Sequence, residues 1–420
     1  MNNNRTKEKI KIPKRDDSMK SKKHYFFIIN IVCTSLLLSG CWSYRELTDI
    51  AFVIAIGIDE GEKQPYKLSF QLINPKNVAG EPQKSGIIGP ATVIYQSEGD
   101  NLFTANRATT QQVSRRLYYA HTSLVVISEK LARKGIRDVL DILTRSPEFR
   151  PTADIVIAKD SSAEDLLNVL TPLDQINADK IQKTLKYSEQ LYGKTTKTNI
   201  NDIVSELISN GNLPIISGFK IEGDRKKAKS SENILNQKPL STIHADSIAL
   251  FKNEKLVTWA EGAAARGINW ILGNTSQPAV NIDWADKKGA ISIQILRSNS
   301  QIKTEVKNNK PIITINLKAE GNVAEVNTYL DLSREEEFIK LQSELEKVIK
   351  NEINEAIKLG KKYKTDVFSF GDHIRISHPK YWKKVQDHWN DDILPTAEIK
   401  INVDASLRLT GLKTKSDVYQ

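Results

Sequence analysis

The sequence predicts an α+β fold, a multi-domain mixed α/β chain with several small sheets. Three observations lead there. Residues 66–72 alternate apolar and polar with a period of two, whereas 131–143 and 338–357 place apolar residues at helical spacing, so both kinds of element are needed. Short β-prone runs alternate with helical stretches in the first half and follow one another in the last third, an order that suits layered sheets and helices. The chain has 420 residues, 39% apolar and 27% charged, enough for two or three domains with buried cores. The divisions read from composition are 1–40 as a signal segment, 41–215 as an N-terminal α/β domain, 216–285 as linker and small middle domain, and 286–420 as a C-terminal α+β domain with a long helix over 333–360.

The first segment sets the expected location. Lys20-Ser21-Lys22-Lys23 precedes a largely apolar run, Tyr25–Leu38, which is the pattern of an export signal and too short to span a bilayer. The run ends Leu38-Ser39-Gly40-Cys41, similar to the bacterial lipobox, in which an aliphatic and two small residues precede a cysteine that takes a diacylglycerol on its thiol. Cys41 is therefore the expected lipidation site and first residue of the mature chain, with Leu38, Ser39 and Gly40 as its lipobox. Two or three acyl chains hold firmly where one does not. The other cysteine, Cys33, leaves with the signal, so the domains must be held by burial and hydrogen bonds rather than disulfides. Nine basic and three acidic residues fall in 1–40, so the segment carries +6 of the formal +10. The mildly basic remainder, with no basic stripe interleaved with aromatics, argues against nucleic-acid binding.

In the mature chain, Ala51–Ile58, Tyr66–Leu72 and Ala91–Ser97 read as strands, with a Pro/Gly-rich loop from Pro75 to Pro90. Asp100 is placed to cap a helix with Leu102 and Ala105. Strand Leu124–Ile127 leads into a helix started by Ser128, and strand Asp154–Ala158 into one started by the capping box Ser161-x-x-Glu164. Helical stretches follow near 176–192 and 202–209. Residues 222–242 are polar and read as loop or linker. Asn253-Glu254 reads as a hairpin turn, Glu261–Leu272 as a short helix, and Ala290–Arg297, Thr304–Lys307 and Ile312–Ala319 as separate strands. Ser333-x-x-Glu336 is a second capping box, opening the stripe Phe338, Leu341, Leu345, Ile349, Ile353 and Ile357, with Gly360 as C-cap. The stripe reads as core. Thr396–Thr410 is a closing strand.

Catalytic patterns are missing from the sequence. There is no phosphate-cradling glycine loop, no G-x-S-x-G elbow and no cysteine left to act as nucleophile. His373, His378 and His388 fall near Asp372 and Asp387, but no pair has the spacing of a helical metal site, and they read as polar side chains at the surface. Asp366 and Asp372 could pair as acid and base, a weak signal in a chain with 51 acidic residues. His121, beside Tyr118 and Tyr119, reads as a core or edge residue. Trp382 and Trp389 read as packing on one helix face. No catalytic, cofactor or metal residue is assigned.

Taken in order, these stretches resemble the germinant-receptor C subunits of spore-forming Firmicutes, the Ger(x)C lipoprotein family. The likeness lies in Gly40-Cys41-Trp42-Ser43-Tyr44-Arg45-Glu46-Leu47, in Ala51–Asp59, in Arg116–His121 with Leu131–Ile136 and Arg145–Arg150, in Phe251–Trp259 with Glu261-Gly262 and Arg266-Gly267 to Trp270, and in Asp366–Gly371 with Pro379-x-x-Trp382 and Trp389. It departs at Ser43, where an aspartate is expected, and at Ala120, where a glycine is. The resemblance implies three mixed α/β domains, no enzymatic activity and no cofactor. It also implies a place on the outer face of the spore inner membrane beside a membrane-embedded A subunit and a transporter-like B subunit. Nutrient recognition belongs by that likeness to the B subunit, so no small-molecule pocket is expected here. The alternative class is a solute-binding lipoprotein of a transporter, which would need two similar lobes; the two halves do not look alike.

Overall fold

The computed structural model describes residues 26–29, 47–78, 89–209 and 211–408. Leu38, Ser39, Gly40 and Cys41 lie outside the described residues. Met1–Ile50 and Ala51–Gln420 are separate compact units. In the first, 26–29 is a helical turn and Leu47–Asp49 a 3-10 turn.

The larger unit is built on two sheets. The first has nine strands. Strands β1 (Ile50–Glu60), β5 (Leu124–Ser128) and β6 (Asp154–Ala158) run parallel, and β7 (Ile215–Gly223) continues them in the same sense. Antiparallel hairpins extend the sheet on both sides. On one side lie β2 (Tyr66–Ile73) and β3 (Thr92–Gly99), on the other β8 (Ser241–Lys252) and β9 (Lys255–Glu261), and short β4 (Arg116–Tyr118) pairs with β1. The parallel centre is covered on both faces, which is why Leu124–Ile127 and Ile155–Ala158 are unbroken apolar runs. One face packs on α1 (Leu102–Ala108), α2 (Glu129–Lys134), α3 (Arg137–Arg145) and the later helix α6 (Ile200–Ile208). The other packs on α4 (Ala163–Leu167) and α5 (Asn177–Tyr192) through Ala163, Leu166, Ile181 and Leu185.

The helix starts follow side-chain capping. Ser128 accepts from the Leu131 N–H as expected. Elsewhere the cap lies one residue beyond the expected one. Asn101, not Asp100, forms a reciprocal box with Thr104, and Ser162, not Ser161, accepts from the Asp165 N–H. Pro75–Val78 is a helical turn, and residues 79–88 of the expected loop lie outside the described residues. Two short helices, α7 (Arg225–Ala228) and α8 (Glu232–Leu235), sit in the polar stretch between β7 and β8.

The second sheet has four strands: β10 (Ala279–Trp284), β11 (Lys287–Lys307), β12 (Lys310–Val326) and β13 (Glu398–Arg408). Ala290–Arg297 and Thr304–Lys307 are one strand of 21 residues. The polar run Ser298–Gln301 reads as a break, yet it pairs with Leu317–Ala319 and Asn316 in unbroken register while its outer face stays in water. The β10–β11 and β11–β12 turns use Ala285-Asp286 and Asn308-Asn309, all with positive φ, as two-residue hairpins require.

The inner face of this sheet packs on α10 (Glu335–Tyr363), on α9 (Gly262–Leu272), and on α11 (Phe370–Ser377) and α12 (Pro379–Val385). The stripe on α10 is core: Leu341, Leu345, Ile349 and Ile353 are fully buried. Two end signals fall elsewhere than expected. Arg334 is the N-cap residue, while the Ser333 hydroxyl donates to Asp331 and Glu337 reaches back to the Asp331 N–H. The helix runs past Gly360 to a left-handed Lys364, and a Cβ at 360 would stand 2.7 Å from the Phe368 ring. Glycine there serves packing rather than termination. Among the described residues no helix is long and apolar enough to cross a membrane.

Candidate functional site

The parallel strands give the first sheet two distinct ends, and polar side chains gather at the carboxyl end. The aspartate that closes the Gly57-Ile58-Asp59 run is 5% exposed and accepts from the Ala163 and Glu164 N–H groups at 2.7 and 3.0 Å, so it caps α4 from a neighbouring strand. Burial pushes its carboxyl up, and those two N–H groups pull it back. Nearby, the ammonium of buried Lys159 lies 5.1 Å from the Trp259 ring centre and pairs with Glu261, while the Trp259 N–H donates to Glu129 at 3.0 Å. This is a structural network. It binds β1, β5, β6 and β9 together.

A cleft of about 1270 Å³ lies between α1 and α3. Leu102, Val113, Leu117, Ile142 and Phe149 supply its apolar walls. Its rim is charged and largely self-paired. Arg116 meets Glu148 at 3.0 Å, Arg145 meets Asp141 at 2.6 Å, and the Arg107 guanidinium lies 5.1 Å from the Phe103 ring centre. Tyr119 donates to Asn106, and burial raises its hydroxyl far above the ordinary range. The arginine blocks Arg116–His121 and Arg145–Arg150 supply much of this rim. Their spacing in the chain does not reveal that the two blocks share a cleft.

The blocks of the second half are joints. Arg266 and Trp270 on α9 reach the same carboxylate of α10, Arg266 Nε lying 2.8 Å from Glu352 Oε1 and Trp270 Nε1 donating to Oε2 at 2.7 Å. Asp366 is fully buried and accepts from four donors: the N–H groups of Phe368, Phe370 and Gly371, and the Trp389 indole. The weakly signalled acid–base pairing of Asp366 with Asp372 does not form. Asp372 instead accepts from the Ser209 hydroxyl at 2.9 and 3.0 Å and pairs with Arg375 at 2.9 Å.

The remaining candidates disperse. His378 Nε2 lies 3.1 Å from the Thr304 carbonyl oxygen, and desolvation lowers the His373 imidazole. Among the described residues no three His, Cys, Asp or Glu side chains come together as metal ligands would. His121 is an exposed edge residue, its ring 5.4 Å from that of Phe52. Trp382 and Trp389 are buried and meet edge to face at 5.5 Å from successive helical segments rather than from one helix face.

One group on the first sheet's helices gives a pH signature. Glu206 on α6 is pushed up to about 8, first by burial and then by Asp202, against a hydrogen bond with Asn212, with Asp372 adding to the rise. Unfolded glutamate loses its proton near 4.5. The folded state thus holds a proton the unfolded state releases, and stability falls as pH rises from about 4.5 to about 8. Each tenfold difference in proton affinity between the two states amounts to about 1.4 kcal/mol. Glu206→Gln should flatten that decline and melt above the parent protein at the alkaline end, as urea unfolding across the window will show; an unchanged slope refutes the assignment.

Two family models divide the chain between them. The spore germination protein N-terminal domain matches residues 43–221, and the spore germination B3/GerAC-like C-terminal domain matches 246–411. The chain belongs to this spore germination family. Spore germination protein KC of Bacillus subtilis (strain 168) is 38% identical over 388 residues, covering 92% of this chain and 95% of that protein. Spore germination protein B3 of the same organism is 26% identical, covering 88% and 93%. The fold is that of the GerBC protein crystal structure, with a TM-score of 0.52 at 22% identity over 84% of this chain and 96% of that one. The blocks that carry the resemblance have structural roles in this chain: the Gly57–Asp59 run caps a helix, Arg266–Trp270 joins two helices, and Asp366–Gly371 with Trp389 closes a loop.

Proposed function

We propose that the chain is a non-enzymatic, lipid-anchored subunit of a nutrient germinant receptor, required for triggering spore germination. The observation that carries this is the 38% identity to spore germination protein KC along nearly the whole of both chains. In this reading Cys41 carries the lipid, with Leu38-Ser39-Gly40 as the processing signal, on the extracytoplasmic face of the spore inner membrane. The A and B subunits of the receptor are its partners. The lipid confines the domains to a thin layer and raises their effective concentration for those partners. The chain then stabilises or relays their state, with no nutrient pocket of its own.

Cys41→Ala tests the anchor and its purpose together. The purified variant should melt like the parent chain, since the first strand begins only at Ile50, while spores carrying it should respond weakly to nutrients. Normal germination at undiminished receptor levels would count against the proposal.

A further inference from the structure

We propose that the amino-terminal end of the nine-stranded sheet, with the second half of α5, faces an anionic lipid bilayer; the inference rests on the Cys41 anchor proposed above. That anchor limits which end can do so. Ile50 lies nine residue steps beyond Cys41, a reach of at most about 32 Å when fully extended. β1 then runs away for 11 further residues, or about 36 Å. The starts of β1, β5 and β6 therefore lie nearest the tether, and the ends marked by Glu60, Ser128 and Gly223 farthest from it.

The near end carries the chemistry of a headgroup layer. Gln182, midway along α5, donates to the Ser123 carbonyl at 3.0 Å and to Asp154 at 2.8 Å, so the helix passes the starts of β5 and β6 there. Beyond it Tyr187, Leu191 and Tyr192 are 56%, 49% and 57% exposed. Lys183, Tyr187 and Leu191 recur every fourth residue and form one stripe. The Lys194 ammonium lies 4.6 Å from the Tyr192 ring centre. Among the described residues Lys186 and Lys194 make no ion pair, so their charge is available to acidic headgroups. At the same end Tyr118 packs edge-on against Phe52 at 5.9 Å. Half-exposed tyrosines take the interface, where ring and hydroxyl are both satisfied, and lysines beside them are drawn to anionic lipid.

A contrasting patch makes the inference testable. Leu173 and Leu235 are more exposed still, at 90% and 80%, but they lie at the carboxyl end, where the Asn233 side chain ties α8 to the Leu170 carbonyl at 2.7 Å. Exposure alone would send that patch to the membrane; the tether sends the other one.

The acylated full-length protein, bearing a fluorophore at Leu191→Cys or Leu235→Cys, is reconstituted in phosphatidylcholine vesicles with a minority of phosphatidylglycerol. Phospholipid carrying a nitroxide should quench the label at 191 several-fold more than that at 235, and Lys186→Glu with Lys194→Glu should reduce the difference. Equal quenching, or stronger quenching at 235, overturns the orientation. Flotation with vesicles is scored first and separately: protein that fails to float overturns the anchor, whereas floating protein with equal quenching overturns the orientation alone.

Discussion

Asp366→Asn is expected to lower the stability of the folded chain by about 1–3 kcal/mol at neutral pH, the cost of leaving buried donors without an acceptor. The side chain is fully buried, and its two oxygens share four donors. Oδ1 accepts from the Phe368 and Phe370 N–H groups at 3.1 and 3.2 Å, and Oδ2 from Gly371 N–H and Trp389 Nε1–H, both at 2.7 Å. Burial lifts the carboxyl to about 6 against the pull of these donors, so at pH 7 it is ionised and only accepts. An amide has one accepting oxygen. Whichever way it is turned, its NH₂ group confronts two N–H donors that have no water to turn to. The damage should spread, because the Asp366 carbonyl accepts from Leu213 N–H at 2.9 Å, tying the lead-in of β7 to the start of α11. Chemical denaturation would read the loss as a lower midpoint at an unchanged slope. A loss below about 1 kcal/mol would mean that the network is not the acceptor-only site described, since a neutral hydrogen bond alone accounts for that much.

The sequence makes the Asp366–Gly371 block conspicuous without revealing why it matters. Nothing in the spacing of Asp366 and Trp389 says that one side chain accepts from the other, and a pair of nearby carboxylates invites a catalytic reading that the burial of Asp366 removes. Local features are the legible ones. The two-sided burial of β5 and β6, the apolar stripe of α10 and the Asn253 turn follow from periodicity and φ preference, which act over a few residues. Cap positions slip by one residue because Asp100-Asn101 and Ser161-Ser162 offer two competent acceptors in a row, and the chain's approach to the helix decides between them. The polar run in β11 reads as a break because a strand's partner is invisible in its own residues. The cleft between α1 and α3 is not legible, since it is bounded by segments whose proximity is set by the sheet order.

Gly267 is the case where local propensity and tertiary contact predict opposite signs. In the middle of an exposed helix, glycine to alanine would stabilise by roughly 1 kcal/mol. In α9 a Cβ at 267 would stand 2.0 Å from the Glu352 carbonyl oxygen and 2.8 Å from Ala356 Cβ, so α9 and α10 meet backbone to backbone. The nearest atom belongs to a helix, not to a mobile side chain, and cannot yield alone. Relief requires α9 to lift, and lifting it parts Arg266 and Trp270 from Glu352, a joint in which both ion-pair partners are mostly buried. Gly267→Ala should therefore cost about 1–3 kcal/mol, in the range of overpacked cores, with the joint's loss pushing toward the top. Ala263→Gly, on the exposed first turn of the same helix, should also cost up to about 1 kcal/mol from propensity alone. Opposite swaps on one helix that both destabilise would establish that contact with α10 sets the residue at 267. A Gly267→Ala protein that melts higher than its parent would show that the two helices do not approach this closely.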